Sequence, residues 1–363
     1  MGTTVDRLPS RTERVDRLID LVVERELGVM LVTSPVSVEY LTGFTGTNGA
    51  LVVGEDRRLF VTDPRYREWV ANGIDGLEVE ILQGDWLKGL AGLLGPKTGI
   101  EDGFMTVRVE RKLAEHGPAG ADLVPSGDLV EGLRRVKDPI EVELIAEASR
   151  LADQVLGEIL DRGLVGRTET EVAGAIIGRI REEGGEPSFP PIVAAGPNSA
   201  SPHAEPSARP IEAGEPVILD LGAKLHGYCS DCTRTVFTGP PTAEAREIYG
   251  IVVESNETAL SETAAGVGCA ALDEVARGVI ERAGFGDRFV HGLGHGVGLE
   301  VHEEPRLGPR SSEDLLEGDV VTIEPGIYIS GEFGVRVEDL VLVGESGVET
   351  NFSSHSKDLL EVT

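Results

Sequence analysis

Two acidic segments, each centred on a turn, constrain this chain more than any other feature of its sequence. In the first segment an apolar run ends at Asp220, and Asp231 follows a turn predicted around residues 225–227. If the segment is a β-hairpin that turns midway between the two acids, the two carboxylates lie opposite each other across its strands. Like charges directly opposite are destabilising, by up to about 1 kcal/mol. A cation bound between the two carboxylates is the simplest compensation.

The second acidic segment repeats this pattern. Glu324 and Glu338 lie at equal distances from Gly331, and in both segments a glycine precedes the first acid by six residues. This weak internal repeat predicts a domain of two related halves that face one another. Between the halves lies a glycine-rich stretch, residues 291–303, which contains three histidines. Its glycines would allow tight backbone turns that present an imidazole.

These segments supply a set of candidate metal ligands made of four carboxylates and one imidazole. The five residues are Asp220, Asp231, Glu324, Glu338 and His295. Two divalent cations would balance the four negative charges. A carboxylate-rich set with one imidazole suits manganese, cobalt or zinc better than copper, and the imidazole makes calcium a poorer fit. From spacing alone, a dinuclear hydrolytic centre, a single-metal site and an acidic cleft without metal all stay open.

Four motifs occur in a fixed order along the second part of the chain. They are Asp220 followed after ten residues by Asp231, Gly294-His295-Gly-Val-Gly, Thr322-Ile-Glu324-Pro-Gly and Arg336-Val-Glu338-Asp. Together they resemble the five-ligand pattern of the pita-bread metallopeptidases, which include aminopeptidase P, prolidase and methionine aminopeptidase. Nearer the N-terminus, Tyr40-Leu-Thr-Gly-Phe-Thr-Gly and Thr62-Asp-Pro-Arg-Tyr66 resemble the N-terminal domain of the creatinase, prolidase and aminopeptidase P branch.

The resemblance implies a role for each predicted ligand. Asp220 would bind one metal ion, His295 and Glu324 would bind the other, and Asp231 and Glu338 would bridge both. Glu324 would also shuttle a proton, because the second oxygen of a ligating carboxylate stays close to the attacking water. The implied cofactor is a pair of divalent metal ions, with Mn²⁺ as the first expectation and Co²⁺ or Zn²⁺ as alternatives.

Four further residues are candidates for the catalytic machinery. By resemblance, His203 matches a loop histidine that lies over the substrate, and His302 matches one that contacts the scissile amide region. An imidazole at either place could hold a developing oxyanion or donate to the leaving proline nitrogen. His291 could line the pocket. Arg336, on the same strand face as Glu338, is expected to hold ligand carboxylates in place.

The chain is expected to fold as two domains, residues 1–133 and 134–363, because 363 residues exceed the usual size of a single core. The first domain has the pattern of a small α/β domain, with an amphipathic helix, a buried strand and a hairpin. Trp69 and Trp86 belong to this domain, and both are expected to pack in its core or at an interface.

The second domain begins with strong helix signals. Asp138 with Glu141, and Thr168 with Glu171, each have the pattern of a capping box, whereas residues 187–210 are typical of a proline-rich polar loop. A pair of helices followed by an acidic hairpin occurs twice, which predicts an α+β domain whose helices cover one face of a curved antiparallel sheet. The resemblance implies the pita-bread catalytic domain, preceded by a creatinase-like N-terminal domain.

Composition and charge limit the compartments and partners. A net charge of −30 argues against nucleic acid and against an anionic membrane surface as partners. No apolar run reaches the roughly 18 residues of a membrane span, and the first nine residues lack the apolar core of a secretory signal. The three cysteines make no disulfide framework. The expected location is the cytoplasm.

The same resemblance implies a metallo-exopeptidase that acts on the bond before a proline. An Xaa-Pro bond has no amide hydrogen, so general peptidases that require one fail on it. We expect an Xaa-Pro aminopeptidase that releases the N-terminal residue from short proline-containing peptides. The alternative is an Xaa-Pro dipeptidase, or prolidase, which needs a group to hold the free carboxylate. A non-catalytic binding protein of the same fold would usually have lost ligands. The resemblance also implies a homodimer.

Overall fold

A computed structural model describes residues 11–362, and the chain divides into two units between Arg134 and Arg135. The segment in which the sequence shows no secretory signal, residues 1–9, lies outside the described residues. Along the part of the chain that the structure does describe, no helix is both long and apolar enough to cross a lipid bilayer.

The N-terminal unit is built on one mixed sheet with helices packed against it. Its strands are β1 (Val29–Val32), β2 (Gly49–Gly54), β3 (Arg57–Thr62), β4 (Glu78–Ile81), β5 (Thr98–Ile100) and β6 (Leu123–Pro125). Its helices are α1 (Arg11–Glu24), α2 (Pro35–Thr42), α3 (Trp86–Ala91), α4 (Val107–His116) and α5 (Leu129–Arg135), the last of which leads into the second unit. The strand order is β4-β3-β2-β1-β5-β6, and the predicted hairpin is the antiparallel pair β2–β3.

The two tryptophans of this unit differ in their burial. Trp86 is partly buried and packs against the apolar core. Trp69 leaves 43% of its surface exposed, and its ring edge contacts Phe44 with centroids 4.9 Å apart. Trp86 therefore packs against the core as expected, whereas Trp69 packs against Phe44 and leaves much of its surface in solvent.

The second unit contains two pairs of helices and a set of short strands. Its helices are α6 (Pro139–Asp161), α7 (Glu169–Glu182), α8 (Ala243–Glu262) and α9 (Cys269–Arg282). Its strands are β7 (Glu186–Pro187), β8 (Ile192–Ala195), β9 (Pro216–Leu221), β10 (Ala223–Leu225), β11 (Tyr228–Cys229), β12 (Cys232–Phe237), β13 (Gly294–Gly296), β14 (Glu303–Leu307), β15 (Val320–Ile323), β16 (Gly326–Ile329), β17 (Phe333–Arg336), β18 (Asp339–Val343) and β19 (Val348–Asn351). These strands pair antiparallel with one another.

Both predicted capping boxes are present. The Asp138 carboxylate accepts the N–H of Glu141, and the Glu141 carboxylate accepts the N–H of Asp138, so α6 begins where predicted. Thr168 and Glu171 exchange the same two bonds at the start of α7. Each box satisfies two backbone donors that a helix terminus would otherwise leave unpaired.

The prediction of an uninterrupted loop over residues 187–210 is wrong. Within it lies β8, which pairs antiparallel with β9, with Ile192 opposite Asp220. The run of four apolar residues, 192–195, is too short to be recognised as a strand by periodicity. It becomes a strand because the edge of β9 offers backbone partners.

The alternation of β9 places the acids on the face away from the helices. Val217, Leu219 and Leu221 belong to the apolar core that α6 and α7 cover. Ile218 and Asp220, one residue out of phase, face the opposite side because successive side chains of a strand alternate. Helices α8 and α9 cover the corresponding core of the second half, around β15 and β18.

Candidate metal centre

The first acidic hairpin has a different register from the one expected. Its turn is formed by His226 and Gly227, both with positive φ, 52° and 90°. This turn lies one residue later than equal spacing of the two acids requires, and it pairs Asp220 with Thr233. The prediction that Asp220 and Asp231 lie directly opposite is therefore wrong. Moving a turn by one residue moves the partner by two, so Asp231 lies diagonally opposite Asp220 and on the same face.

The second acidic hairpin has the expected register. Strands β15 and β18 pair Ile323 with Asp339, and β16 and β17 pair Gly326 with Arg336. Both pairs belong to one continuous register about Gly331, whose φ is 80°. That register places Glu324 opposite Glu338, as the sequence predicts.

The glycines around His295 do not form the expected turns. His295 lies on β13, and the neighbouring described glycines have no positive φ. They instead allow the neighbouring strands β14 and β15 to approach β13 closely. A Cβ on Gly294 would lie 2.0 Å from the carbonyl oxygen of Thr322, and one on Gly296 would lie 2.2 Å from that of Glu304. A side chain at Gly294 would push β13 away from β15, and one at Gly296 would push it away from β14, so either would displace His295.

The predicted ligands converge in the second unit. Ligand atoms of Asp231, His295 and Glu338 all lie within 4.8 Å of one another. The Nε2 atom of His295 is 3.8 Å from Oδ2 of Asp231 and 3.4 Å from Oε1 of Glu324. Asp220 is close enough that its charge raises the pKa of Asp231 after the larger effect of burial. The structure thus brings all five residues to one place.

The carboxylate oxygens of this cluster fit a bound cation. Oδ1 of Asp220 and Oδ1 of Asp231 are buried and have no hydrogen-bond partner. Buried polar atoms in proteins are nearly always satisfied, so two unsatisfied oxygens in one cluster need an explanation. Divalent metal ions supply it, because four carboxylates and one imidazole match the ligand preference of ions such as Mn²⁺ or Zn²⁺.

Burial sets the protonation of the cluster. It raises the pKa of Asp220, Asp231 and Glu338, and it raises the pKa of Glu324 to about 7. Burial also lowers the pKa of His295 to about 3, so this imidazole is neutral. Its Nδ1–H can donate to the carbonyl oxygen of Gly296 at 3.1 Å, which leaves the Nε2 lone pair directed at the acids.

The metal-free protein should therefore lose stability as pH rises. Folding raises the pKa of Glu324 from 4.5 to about 7 through burial, so the folded state binds more protons than the unfolded chain between these values. The free energy of unfolding then falls as pH increases through that window, by about 1 to 3 kcal/mol, since a tenfold change in proton affinity is worth about 1.4 kcal/mol. Chelated protein should melt at a lower temperature at pH 7.5 than at pH 5.5.

The matched control is Glu324→Gln, which should reduce this dependence because the amide does not titrate, while the raised pKa of Asp231 and of Glu338 should maintain the remainder. Protons and metal ions compete for the same oxygens, so the apparent affinity for Mn²⁺ should weaken as pH falls below about 7. A metal-free protein whose melting temperature rises with pH across this window would contradict the assignment of a buried acidic cluster.

Two threonines support the cluster and were not recognised in the sequence. The Thr233 hydroxyl donates to Oε2 of Glu338 at 2.7 Å, and the Thr322 hydroxyl donates to Oε1 of Glu324 at 3.2 Å. Thr322 also accepts the backbone N–H of His295. Each threonine lies two residues from a predicted ligand on the same strand face, a spacing that could have identified them.

Arg336 contacts a predicted ligand, although not the nearest one in sequence. Its Nη2 donates to Oδ2 of Asp220 at 2.5 Å, and its Nε donates to the Thr233 hydroxyl at 3.2 Å. Its Nη1 donates to the Tyr328 hydroxyl at 2.9 Å. Arg336 is 3% exposed, so it is a fixed positive charge beside four acids.

His291 and Tyr328 extend this network away from the acids. The Nδ1–H of His291 can donate to the carbonyl oxygen of Gly292, which leaves Nε2 to accept from the Tyr328 hydroxyl at 2.9 Å. Burial lowers the pKa of His291 to about 4 and raises that of Tyr328 to about 12, so both are neutral. Tyr328, absent from the sequence prediction, thus connects His291 to Arg336.

The two remaining histidines lie on the exposed side. The rings of His302 and His295 meet edge to face, with centroids 4.3 Å apart. Burial and the charge of Arg306 lower the pKa of His302. His203 lies in an exposed turn, and the carbonyl oxygen of the preceding Pro202 accepts from Nη1 of Arg336. Both histidines are therefore adjacent to the cluster without belonging to it.

Two family models match this chain. The creatinase/prolidase N-terminal domain matches residues 14–136, and metallopeptidase family M24 matches residues 143–345. An Xaa-Pro dipeptidase from Pyrococcus furiosus is 34% identical over 353 residues, which cover 93% of this chain and 97% of that protein. These matches confirm the resemblance that the motifs predicted.

Solved structures give the same result. An Xaa-Pro dipeptidase from Bacillus anthracis has a TM-score of 0.93 at 35% identity, covering 97% of this chain and 100% of that one. An X-Pro aminopeptidase from Thermotoga maritima MSB8 has a TM-score of 0.86 at 33% identity, covering 96% and 100%. The likenesses confirm the expected fold class, a creatinase-like α/β domain followed by a pita-bread α+β domain.

Proposed function

Because this chain belongs to metallopeptidase family M24, we propose that it is an Xaa-Pro dipeptidase that uses two divalent metal ions. The relatives favour this activity, the alternative from the sequence, over the expected Xaa-Pro aminopeptidase. The P. furiosus relative and the B. anthracis structure are both named Xaa-Pro dipeptidases. The T. maritima structure, named an X-Pro aminopeptidase, keeps aminopeptidase activity as the second candidate.

The observation that carries the dipeptidase proposal is the position of Arg306. A dipeptidase must hold the free carboxylate of its substrate. Arg306 lies on β14 opposite His295, and its charge lowers the pKa of both His295 and His302, after the larger effect of burial. Its side chain is 54% exposed, and its ion pair with Glu304 is loose, at 3.9 Å. The guanidinium is thus available to a carboxylate, which it can bind by two parallel hydrogen bonds.

The residues in and around the cluster would have different roles in hydrolysis. When bound, the two metal ions would polarise the scissile carbonyl and activate a water molecule. Asp220, Asp231, Glu324, Glu338 and His295 would hold these ions. Glu324, whose second oxygen would stay close to the attacking water, is suited to accept and return a proton. On the exposed side, His302 would stabilise the developing oxyanion or donate to the leaving nitrogen.

Two finer points belong to the same proposal. Manganese is the proposed metal ion, with cobalt and zinc as alternatives, because the ligand set is rich in carboxylates. A homodimer is proposed on the family resemblance alone. The complete set of five ligands supports an enzyme over a non-catalytic binding protein of this fold, and stoichiometric metal in the purified protein would separate the two.

Replacing Arg306 should weaken binding of dipeptides. Arg306→Ala should raise KM for Gly-Pro by about 10- to 100-fold with a smaller effect on kcat, because a hydrogen bond to a charged group is worth about 1.5 to 3 kcal/mol. Steady-state kinetics on Gly-Pro and on its C-terminal amide would measure this. The wild type should prefer the free acid, and the variant should not. Arg310→Ala, at an exposed arginine beyond β14, is the matched control. An unchanged KM would contradict the proposal.

A further inference from the structure

Glu169, which is not among the predicted metal ligands, has a buried carboxylate that accepts four hydrogen bonds. Glu169 is the first residue of α7, and none of its surface is exposed. Its Oε1 accepts the backbone N–H of Ala195 at 2.7 Å. Its Oε2 accepts from the Asn198 side chain at 2.8 Å and from both the backbone N–H and the hydroxyl of Ser207, at 2.8 and 2.6 Å. One carboxylate therefore binds both ends of the segment 195–207.

Glu169 is not needed to start its own helix. The side chain of Thr168 accepts the N–H of Glu171, and the Glu171 carboxylate accepts the N–H of Thr168, which completes the cap of α7. All four donors to Glu169 come from residues 195–207. Its carboxylate thus serves this segment rather than the helix that carries it.

The segment that Glu169 holds carries His203. Its middle is anchored to the candidate site by two more contacts. Nη1 of Arg336 donates to the carbonyl oxygen of Pro202 at 3.1 Å, and the N–H of Gly334 donates to the hydroxyl of Ser199 at 2.8 Å. His203 is therefore an exposed side chain on a loop whose base is fixed by Glu169 and whose middle is fixed from the site.

The second half of the unit repeats this arrangement around His291. Asp273, on α9, is 1% exposed, and its Oδ1 accepts the backbone N–H of Leu293 at 3.0 Å. Arg277, which pairs with Asp273 at 2.9 Å, donates to the carbonyl oxygen of His291 at 2.8 Å. In each half, the second helix of the pair therefore uses a buried acid to fix a segment that carries a histidine near the acidic cluster.

We propose that Glu169 is a positioning residue, which holds the loop 195–207 so that His203 lies over the candidate metal centre. The proposal rests on the proposed function for the role of His203 in hydrolysis. Only a charged carboxylate matches the donors present, because it has acceptors alone, whereas a glutamine would direct N–H donors at other donors. Losing this match would release the loop while leaving the metal ligands in place.

The first test is Glu169→Gln. Metal content should stay that of the wild type, and kcat/KM for Gly-Pro should fall by about 10- to 100-fold, the range found when a residue that orients a catalytic group is removed. The matched control is Glu171→Gln, the same substitution two residues along the same helix. Glu171 contacts Thr168 and not the loop, so this variant should keep its activity.

A double-mutant cycle separates positioning from general stability. If Glu169 acts through His203, Glu169→Gln should cost no further activity once His203→Ala has been made. Equal losses in the two backgrounds would overturn the proposal. If Glu169→Gln does not fold, Ser207→Ala removes one donor to the carboxylate and leaves the loop backbone intact. Ser207→Ala should cause a smaller fall in activity than Glu169→Gln, and it should cause no further fall once His203→Ala has been made.

A spectroscopic measurement keeps this inference distinct from the proposed function. Mn²⁺ bound at the acidic cluster should broaden the imidazole proton resonances of His203 in the wild type, and less so in Glu169→Gln. Equal broadening in both proteins would overturn the positioning role even if peptides are hydrolysed. Absence of Xaa-Pro hydrolysis by the Mn²⁺-loaded wild type, together with the expected difference in broadening, would overturn the proposed function and support the positioning role.

Discussion

Asp231→Ala should remove the bound metal ions and lower kcat/KM for Gly-Pro by about a thousandfold or more. The candidate ligand atoms of Asp231, His295 and Glu338 lie within 4.8 Å of one another, and the proposed role of Asp231 is to bridge two ions. Losing the ions removes several kcal/mol of transition-state stabilisation, and each 1.4 kcal/mol is a factor of ten. Glu338→Ala, at the other proposed bridge, should give the same result.

Melting temperatures would show that this loss comes from the metal centre and not from misfolding. A metal ion at one hundred times its Kd should stabilise the wild type by about 2.7 kcal/mol. Asp231→Ala should lack that gain, and without metal it should melt no lower than the chelated wild type, because the substitution removes a buried acid whose ionisation both burial and the neighbouring acids oppose. Asp287→Ala, at an exposed acid, is the control. Stoichiometric metal in Asp231→Ala would contradict the ligand assignment.

His302→Ala should have the opposite profile, with metal retained and turnover lost. Its ring contacts the ring of His295 from the exposed side, and its role is proposed at the scissile amide. Removing an acid–base or oxyanion-stabilising group typically lowers the rate by about 10²- to 10⁴-fold. The measurements are metal content and kcat on the same preparation. His116→Ala, on α4 of the N-terminal unit, is the control for loss of an exposed imidazole. Retained activity in His302→Ala would contradict the role proposed for His302 in catalysis.

The register of the two hairpins shows what sequence spacing can and cannot predict. The second hairpin turns about Gly331, where a glycine adopts positive φ without steric strain. The prediction that Glu324 lies opposite Glu338 was therefore correct. The first turns at His226 and Gly227, within the predicted stretch 225–227 but one residue later than the midpoint between Asp220 and Asp231. The sequence therefore located the turn correctly, and the assumption of equal spacing gave Asp220 the wrong partner. The ligands were still identified, because both registers leave Asp220 and Asp231 on one face.

The contacts that complete the site could not be predicted, because they join residues far apart in sequence. Arg336 contacts Asp220 across 116 positions, and Thr233 contacts Glu338 across 105. Tyr328 has no local signal that distinguishes it from a core tyrosine. The glycines near His295 were read as turn residues because their actual constraint, the carbonyl oxygens of neighbouring strands, appears only after the strands are paired.

The motifs could not distinguish a dipeptidase from an aminopeptidase, because the distinguishing residue is recognisable only in the folded chain. The motifs describe the metal centre, which both activities share. Discrimination depends on a group that binds the substrate carboxylate, and Arg306 became a candidate only when β14 was placed beside β13.

The most direct measurement is hydrolysis of Gly-Pro and Gly-Pro-Gly by chelated and Mn²⁺-reloaded protein, with bound metal determined in parallel. We expect that reloaded protein cleaves Gly-Pro, that chelated protein does not, and that Gly-Pro-Gly is a poor substrate in both cases. Efficient metal-dependent cleavage of Gly-Pro-Gly would instead establish an aminopeptidase. Bound Mn²⁺ with no cleavage of either peptide would contradict the proposed substrate, and cleavage by fully chelated protein would contradict the metal centre itself.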